Sequence, residues 1–199
     1  MNWDKYLNAQ RLRTSKRSKS FDSRNEFESD FGRIIFSPAI RRMHDKTQVF
    51  PLTSDDNIHS RLTHSMEVMS VGHSIALNLC SKEEFLYKIG LDTHSILREI
   101  PVIVKNSCLV HDIGNPPFGH FGETVIQDYF KNLFARLDHK NEGTHKHKFS
   151  LSQREEEDFT HFDGNAQGFR VLTKLQVLDN PYGLNLTLAT LGSFIKYPN

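Results

Sequence analysis

Residues 111–123 read His111-Asp112-Ile113-Gly114-Asn115-Pro116-Pro117-Phe118-Gly119-His120-Phe121-Gly122-Glu123, and no other segment limits the fold as sharply. An apolar stretch leads into it, from Val102-Ile103-Val104 to Cys108-Leu109-Val110. A helix carrying that stretch must stop at Gly114 and Pro116-Pro117, because glycine favours the position past a helix end and proline lacks the N–H a helix interior uses. The pattern resumes near Gly119. Two imidazoles and two carboxylates therefore sit around an elbow between two helices, anchored on its entry side to a core. These are groups that bind metals and move protons.

The remaining pattern is helical in period. Phe27, Phe31, Ile34 and Ile35 recur at spacings of three and four before Ser37-Pro38 breaks the run, and a second short helix is expected from Pro38 to about Lys46. From about Ser60 to Leu79, His64, Val68, Val71, Ile75 and Leu79 form one stripe, which predicts a buried face shared by His64. Residues 95–112 read as a helix with Pro101 in its first turn, although Val102-Ile103-Val104 alone would also suit a strand. The next helix, to Leu137, has Val125, Ile126, Tyr129, Phe130 and Leu133 as its apolar face. A polar loop or insertion is expected at about 138–162, with room for one short helix. Its His145 and His147 lie among lysines that repel a cation. Helices follow over Asn165 to Leu178 and Leu184 to Ile195, separated by the turn Asp179-Asn180-Pro181-Tyr182-Gly183. The predicted class is all-α.

At 199 residues the chain suits one compact unit. Residues 1–26 read as a basic N-terminal arm, mobile over Arg11 to Ser20, and the domain as 27–199. Formal charge is +1, from 25 Lys+Arg against 24 Asp+Glu, so no global field favours nucleic acid or a membrane surface. Cys80 and Cys108 lie in apolar runs without Cys-x-x-Cys spacing or a secretory signal. They predict buried thiols and a cytoplasmic protein. No apolar run approaches the roughly 20 residues that span a bilayer.

A hydrolytic metal site needs several imidazole and carboxylate ligands and an open position for water. His111 and Asp112 offer two, but neighbouring side chains on a helix diverge by about 100°, so another helix must contribute. His64 is the candidate, preceded by Arg61. Alone it would read as a core histidine bonded to backbone; beside a His-Asp pair it reads as a ligand. His120 and Glu123, three apart, share a face if a helix starts near Gly119. A glutamate bonded to an imidazole raises its proton affinity and orients it, as a general acid requires, whereas Glu123 alone would be an ordinary residue favoured by a helix N-terminus.

Taken together, Phe36-Ser37-Pro38-Ala39-Ile40-Arg41-Arg42-Met43-His44-Asp45-Lys46-Thr47-Gln48-Val49-Phe50-Pro51, Arg61-Leu62-Thr63-His64-Ser65, residues 111–123 and Phe162-Asp163-Gly164-Asn165-Ala166-Gln167 resemble the deoxyguanosine triphosphate triphosphohydrolases of the HD-domain superfamily. The resemblance runs in order from about Phe27 to the last residue. It implies an all-α HD-domain helical bundle that hydrolyses dGTP, or dNTPs generally, to the deoxynucleoside and inorganic triphosphate with a divalent ion, Mg²⁺ or Mn²⁺. By motif position it implies His64, His111 and Asp112 as metal ligands, His120 and Glu123 as the catalytic pair, Gln48 on the deoxyribose and Arg61 on phosphate. Asp163 and Asn165 fall beside the substrate. It further implies a homo-oligomer and a last metal ligand, an Asp, lying beyond residue 199, so the chain reads as the N-terminal part of a longer enzyme. His44 and Met43 replace the Gln and Leu usual in the Arg-Arg-Leu-Gln-type motif.

The chemistry agrees with these roles. Attack at the α-phosphorus needs an activated water, charge neutralisation along the phosphates and a proton for the departing 5′ oxygen. The metal and Arg61 suit the first two, and His120 the third. Gln48 offers both an amide donor and an acceptor to a sugar hydroxyl. Two other functions use the same residues: an HD-type 5′-deoxynucleotidase releasing orthophosphate, and a truncated non-catalytic fragment holding nucleotide or single-stranded DNA through Gln48, Arg61 and the basic arm.

Overall fold

The computed structural model describes residues 3–14, 22–48, 58–90, 93–141, 151–175 and 181–196. Among these residues there is no strand, only the isolated bridges Arg11 to Thr187 and Thr47 to Ser60. The protein is an all-α bundle. Among the described residues, no helix is long and apolar enough to cross a membrane.

After a single turn, α1 (Trp3–Tyr6), the helix α2 (Glu26–Ile35) starts at a reciprocal cap. Asn25 accepts from the Glu28 amide at 2.8 Å and Glu28 accepts from the Asn25 amide at 2.7 Å. Ser37 caps the short α3 (Pro38–Arg42), with Pro38 in its first turn, and a 3-10 turn follows over Met43–Asp45. The two long central helices are α4 (Arg61–Cys80) and α6 (Thr93–Val110), joined through α5 (Glu83–Ile89). Then come α7 (Gly119–Asn141), α8 (Gln153–Thr160), α9 (Gly164–Arg170), a π-helical turn Val171–Leu175, and α10 (Leu188–Phe194).

The pair α4 and α6 forms the spine, with α2 and α10 against α6. The α4–α6 packing is tight at Gly72, where a Cβ would lie 2.5 Å from Cys108 Sγ. The buried face of α4 is Arg61, Ser65, Ala76 and Cys80, and this overturns the expected stripe. Val71, Ile75 and Leu79 are exposed instead. Ser65, Met69, Gly72, Ala76 and Cys80 also recur every three or four residues, and all but Met69 are small, which lets two helix backbones approach closely. Bulk alone pointed to the wrong face.

Other expectations shift as well. Pro101 lies in the interior of α6, not its first turn; buried Ile96 and Ile103 on either side hold the helix through the missing N–H. On α7, Val125 and Tyr129 are exposed, and Phe130 carries the apolar contact, 4.5 Å from the Phe159 ring of α8. The last helix begins at Leu188 because Thr187 caps it, and Leu184 to Thr187 is buried non-helical chain. The loop histidines His145 and His147 lie outside the described residues.

Arg11, read as part of a mobile arm, is buried. It bonds Asp30 at 2.5 Å, Glu26 at 2.7 Å and the Asn185 carbonyl at 2.6 Å. Asp30 also accepts from the Thr187 amide and hydroxyl at 2.9 and 2.7 Å. A buried charge persists only when paired and bonded in this way, so the segment is fixed by its partners rather than by apolar content. Residues 15–20, the rest of the expected arm, lie outside the described residues.

Candidate metal centre and catalytic cleft

The main core gathers Ile34, Ile40, Met43, Leu109, Val110, Ile113, Leu172, Leu184, Leu186, Leu191 and Phe194. Three of these, Leu109, Val110 and Ile113, bracket His111 and Asp112, so the turn ending α6 is nailed down from both sides. Gly114 makes it tighter still. A Cβ there would lie 2.0 Å from the Gly168 nitrogen and 2.2 Å from the Gly164 oxygen, so the backbone of α9 rests directly on the turn.

From this base His111 and Asp112 meet His64, one turn into α4. The three offer ligand atoms within 4.8 Å of one another, a His-His-Asp cluster able to hold a metal ion. The His64 and His111 rings meet edge-on at 5.3 Å. His111 Nδ1 lies 2.7 Å from the Cys108 carbonyl, which only accepts, so Nδ1 carries a proton and Nε2 is the nitrogen left to face an ion. Asp112 receives Arg61 Nη1 on Oδ2 at 2.8 Å and Asn115 Nδ2 on Oδ1 at 2.9 Å. The donor set thus fits a divalent ion: two imidazoles and a carboxylate whose orientation is fixed from outside.

The other side of the elbow is more open. Phe118 and Gly119 both take left-handed φ values, 67° and 55°, which turn the chain from Pro117 into α7. His120 Nδ1 donates to Glu123 Oε2 at 2.7 Å, and the Gly164 amide donates to Glu123 Oε1 at 2.8 Å. The side chain of His120 is 96% exposed, that of Glu123 11%. With Nδ1 engaged, His120 presents Nε2 outward.

Both sides face one cavity of about 830 Å³, within the range of small-molecule sites. Its wall includes Gln48, Arg61, Asp112, His120, Glu123 and Asn165 of the expected residues, but not His64 or His111. Gln48 Oε1 is buried with no hydrogen-bond partner among the described residues, as is Arg61 Nε. Asp163 does a different job: it caps α9, accepting from the Ala166 amide at 2.8 Å, and lines an adjoining apolar cleft beside Phe169 and Phe194.

Several wall residues had no role in the sequence reading. Asn115 and Phe118 were visible within the run, and an amide three residues after Asp112 was a usable signal. Lys196 had none, since only the packing of α10 brings it to the cavity. Behind the wall, Lys46 donates to the Asn115 carbonyl at 2.9 Å. Burial, then the Arg42 and Arg61 cations, push its ammonium below the ordinary lysine value.

A helical bundle that converges a His and a His-Asp pair on one cluster defines the HD-domain class. No protein-family model matches the chain. Whole-chain relatives are nevertheless clear. A deoxyguanosinetriphosphate triphosphohydrolase-like protein of Listeria monocytogenes is 46% identical over 100% of this chain and 42% of its own length. One of Pseudomonas aeruginosa is 43% identical over 100% and 42%. A deoxyguanosinetriphosphate triphosphohydrolase of Salmonella typhimurium is 43% identical over 86% of this chain and 36% of its own length. The chain belongs to the deoxyguanosinetriphosphate triphosphohydrolase-like family. It spans 42% of the length of the first of these relatives.

Proposed function

We propose that this chain carries the ligand cluster and proton-transfer pair of a metal-dependent dNTP triphosphohydrolase, with dGTP as substrate. The observation carrying this reading is that Asp112 of the cluster and the His120–Glu123 pair share one cavity wall with Arg61 and Lys196, two cations suited to a polyphosphate. His64, His111 and Asp112 hold Mg²⁺ or Mn²⁺. Bound there, the ion supplies Lewis-acid activation of water and neutralises phosphate charge.

The chain's own residues do the rest. Arg61 keeps one arm of its guanidinium on Asp112 and has further donors for phosphate oxygens; Lys196 adds charge from the lining of the same cavity. Gln48 Oε1, buried and unsatisfied, accepts the sugar 3′-hydroxyl, which supplies the missing donor. Water attacks the α-phosphorus and gives up a proton to solvent, the bond from phosphorus to the 5′ oxygen breaks, and His120, in the form protonated on both ring nitrogens, gives the departing oxygen the proton on Nε2 while Nδ1–H stays on Glu123. The products are the deoxynucleoside and inorganic triphosphate. Asn165 lines the same wall, and Asp163 sets its position by capping α9.

The test is product analysis with each dNTP and Mn²⁺ or Mg²⁺, beside His111→Ala. Inorganic triphosphate from dGTP, lost in H111A, is the expected result. Orthophosphate from dGMP instead, or full activity in H111A, would overturn the assignment. Titration calorimetry of Mn²⁺ into the protein checks the cluster separately, with binding lost in H111A.

A further inference from the structure

The first turn of α9 leaves amide hydrogens without helical partners, as every helix start does. Their partners here divide between a local residue and a distant one. Asp163 takes the Ala166 amide at 2.8 Å, and the Gly164 amide reaches across to Glu123 Oε1, also at 2.8 Å. The second oxygen of the same carboxylate receives His120 Nδ1 at 2.7 Å. Glu123 is buried, so its carboxylate is held at both oxygens, and a rotation that freed one would leave the Gly164 amide unpaired as well.

Residue 164 must also lack a side chain for this geometry. A Cβ there would lie 2.4 Å from Asn115 Oδ1 and 2.7 Å from Glu123 Oε1. The φ of Gly164 lies outside the left-handed region, so backbone freedom does not explain the glycine. Both near atoms are ends of site side chains. One belongs to the residue that bonds Asp112, the other to the partner of His120.

We propose that Gly164 is a positioning residue for the proton-transfer pair: its amide locks the Glu123 carboxylate, which in turn fixes His120 as the Nδ1–H tautomer with Nε2 toward the cavity. Its missing Cβ leaves room for Asn115 and Glu123 at their bonded positions. The catalytic importance of this arrangement rests on the proposed reaction; the arrangement itself does not.

The test is nitrogen NMR of the histidine rings in the protein without metal or nucleotide. At a pH well above the ordinary histidine value, where the tautomer can be read, wild type is expected to show His120 with its proton on Nδ1. Gly164→Ala, confirmed as folded by circular dichroism, is expected to shift His120 toward the Nε2–H tautomer. In Glu123→Ala the Gly164 amide proton is expected to move upfield and lose exchange protection, a measurement that needs no change at Gly164 and so decides the matter if G164A does not fold. A folded G164A with the wild-type tautomer, or a Gly164 amide unchanged in E123A, would overturn the proposal. Neither readout depends on turnover, so absence of triphosphate release would sink the reaction and leave this positioning role standing.

Discussion

The two sides of the cleft are built in opposite ways. His111 and Asp112 stand on a turn whose neighbours Leu109, Val110 and Ile113 are 0%, 0% and 4% exposed, and Asp112 is gripped by Arg61 and Asn115. His120 projects from the first turn of α7 almost free of contact, steered by one bond to Glu123. The proposed roles account for the difference: a ligand cluster would need its donors at fixed distances before an ion arrives, whereas a proton donor would need access to solvent and substrate, with only its direction and protonated nitrogen set. Disturbing the first side should cost folding energy, and disturbing the second should cost chemistry alone.

The largest expected effect comes from Arg61→Ala. Arg61 is 4% exposed and pairs with Asp112, so truncation leaves a buried carboxylate short of its cation, at a cost of about 3–5 kcal/mol. Urea denaturation measures the loss, and added Mn²⁺ should recover part of it by supplying the missing charge. A stability change under 1 kcal/mol would break the contrast between the two sides. Next is Gly114→Ala, which drives a Cβ into the backbone of α9 and should cost about 1–3 kcal/mol by the same assay. Gly164→Ala, whose Cβ meets two side-chain ends at under 3 Å and the Asn115 Cα only at 3.2 Å, should cost less, and the ordering of the two sharpens the point.

A smaller effect lies at the far end of α6, the helix that leads into His111 and Asp112. Arg98 of α6 donates to both oxygens of Glu28 on α2, at 2.9 and 2.7 Å. The Arg98 bond above all, with the Asn25 amide and against burial, holds the Glu28 carboxyl below the usual carboxylate range. Its stabilisation is therefore present above that range and is lost as pH falls through the lowered folded value. Thermal melts of Glu28→Gln against wild type should show a Tm gap at neutral pH that closes under acid. A gap independent of pH would remove the ion pair from the account.

The same contrast governs what was legible in the sequence. The elbow was readable because glycine and proline act locally: Gly114 and Pro116-Pro117 end α6, and the distance from Gly119 to Glu123 is one helical turn whatever surrounds it. His64 was readable beside a His-Asp pair that needed a third donor. Packing was less so. The buried face of α4 is set by how closely Gly72 admits Cys108, and the burial of Arg11 by a carboxylate nineteen residues away in Asp30. Lys196 and the bond from Gly164 to Glu123 depend on where α10 and α9 dock, which no local period encodes.

His120→Ala is the cleanest separation of the two sides. The ring is 96% exposed, and its one bond is to Glu123, whose other oxygen stays on the Gly164 amide after truncation. Stability should remain within about 0.5 kcal/mol of wild type, as for a surface substitution free of buried partners, and Mn²⁺ affinity should be unchanged because His120 is not in the ligand cluster. Triphosphate release should nevertheless fall by roughly 10²–10⁴-fold, the usual contribution of a positioned general acid. Loss of Mn²⁺ binding in H120A would mean that the two sides are one coupled unit. Unchanged turnover with intact binding would place the proton donor elsewhere on the cavity wall, where Lys196 and the Glu123 carboxyl are the next groups to test.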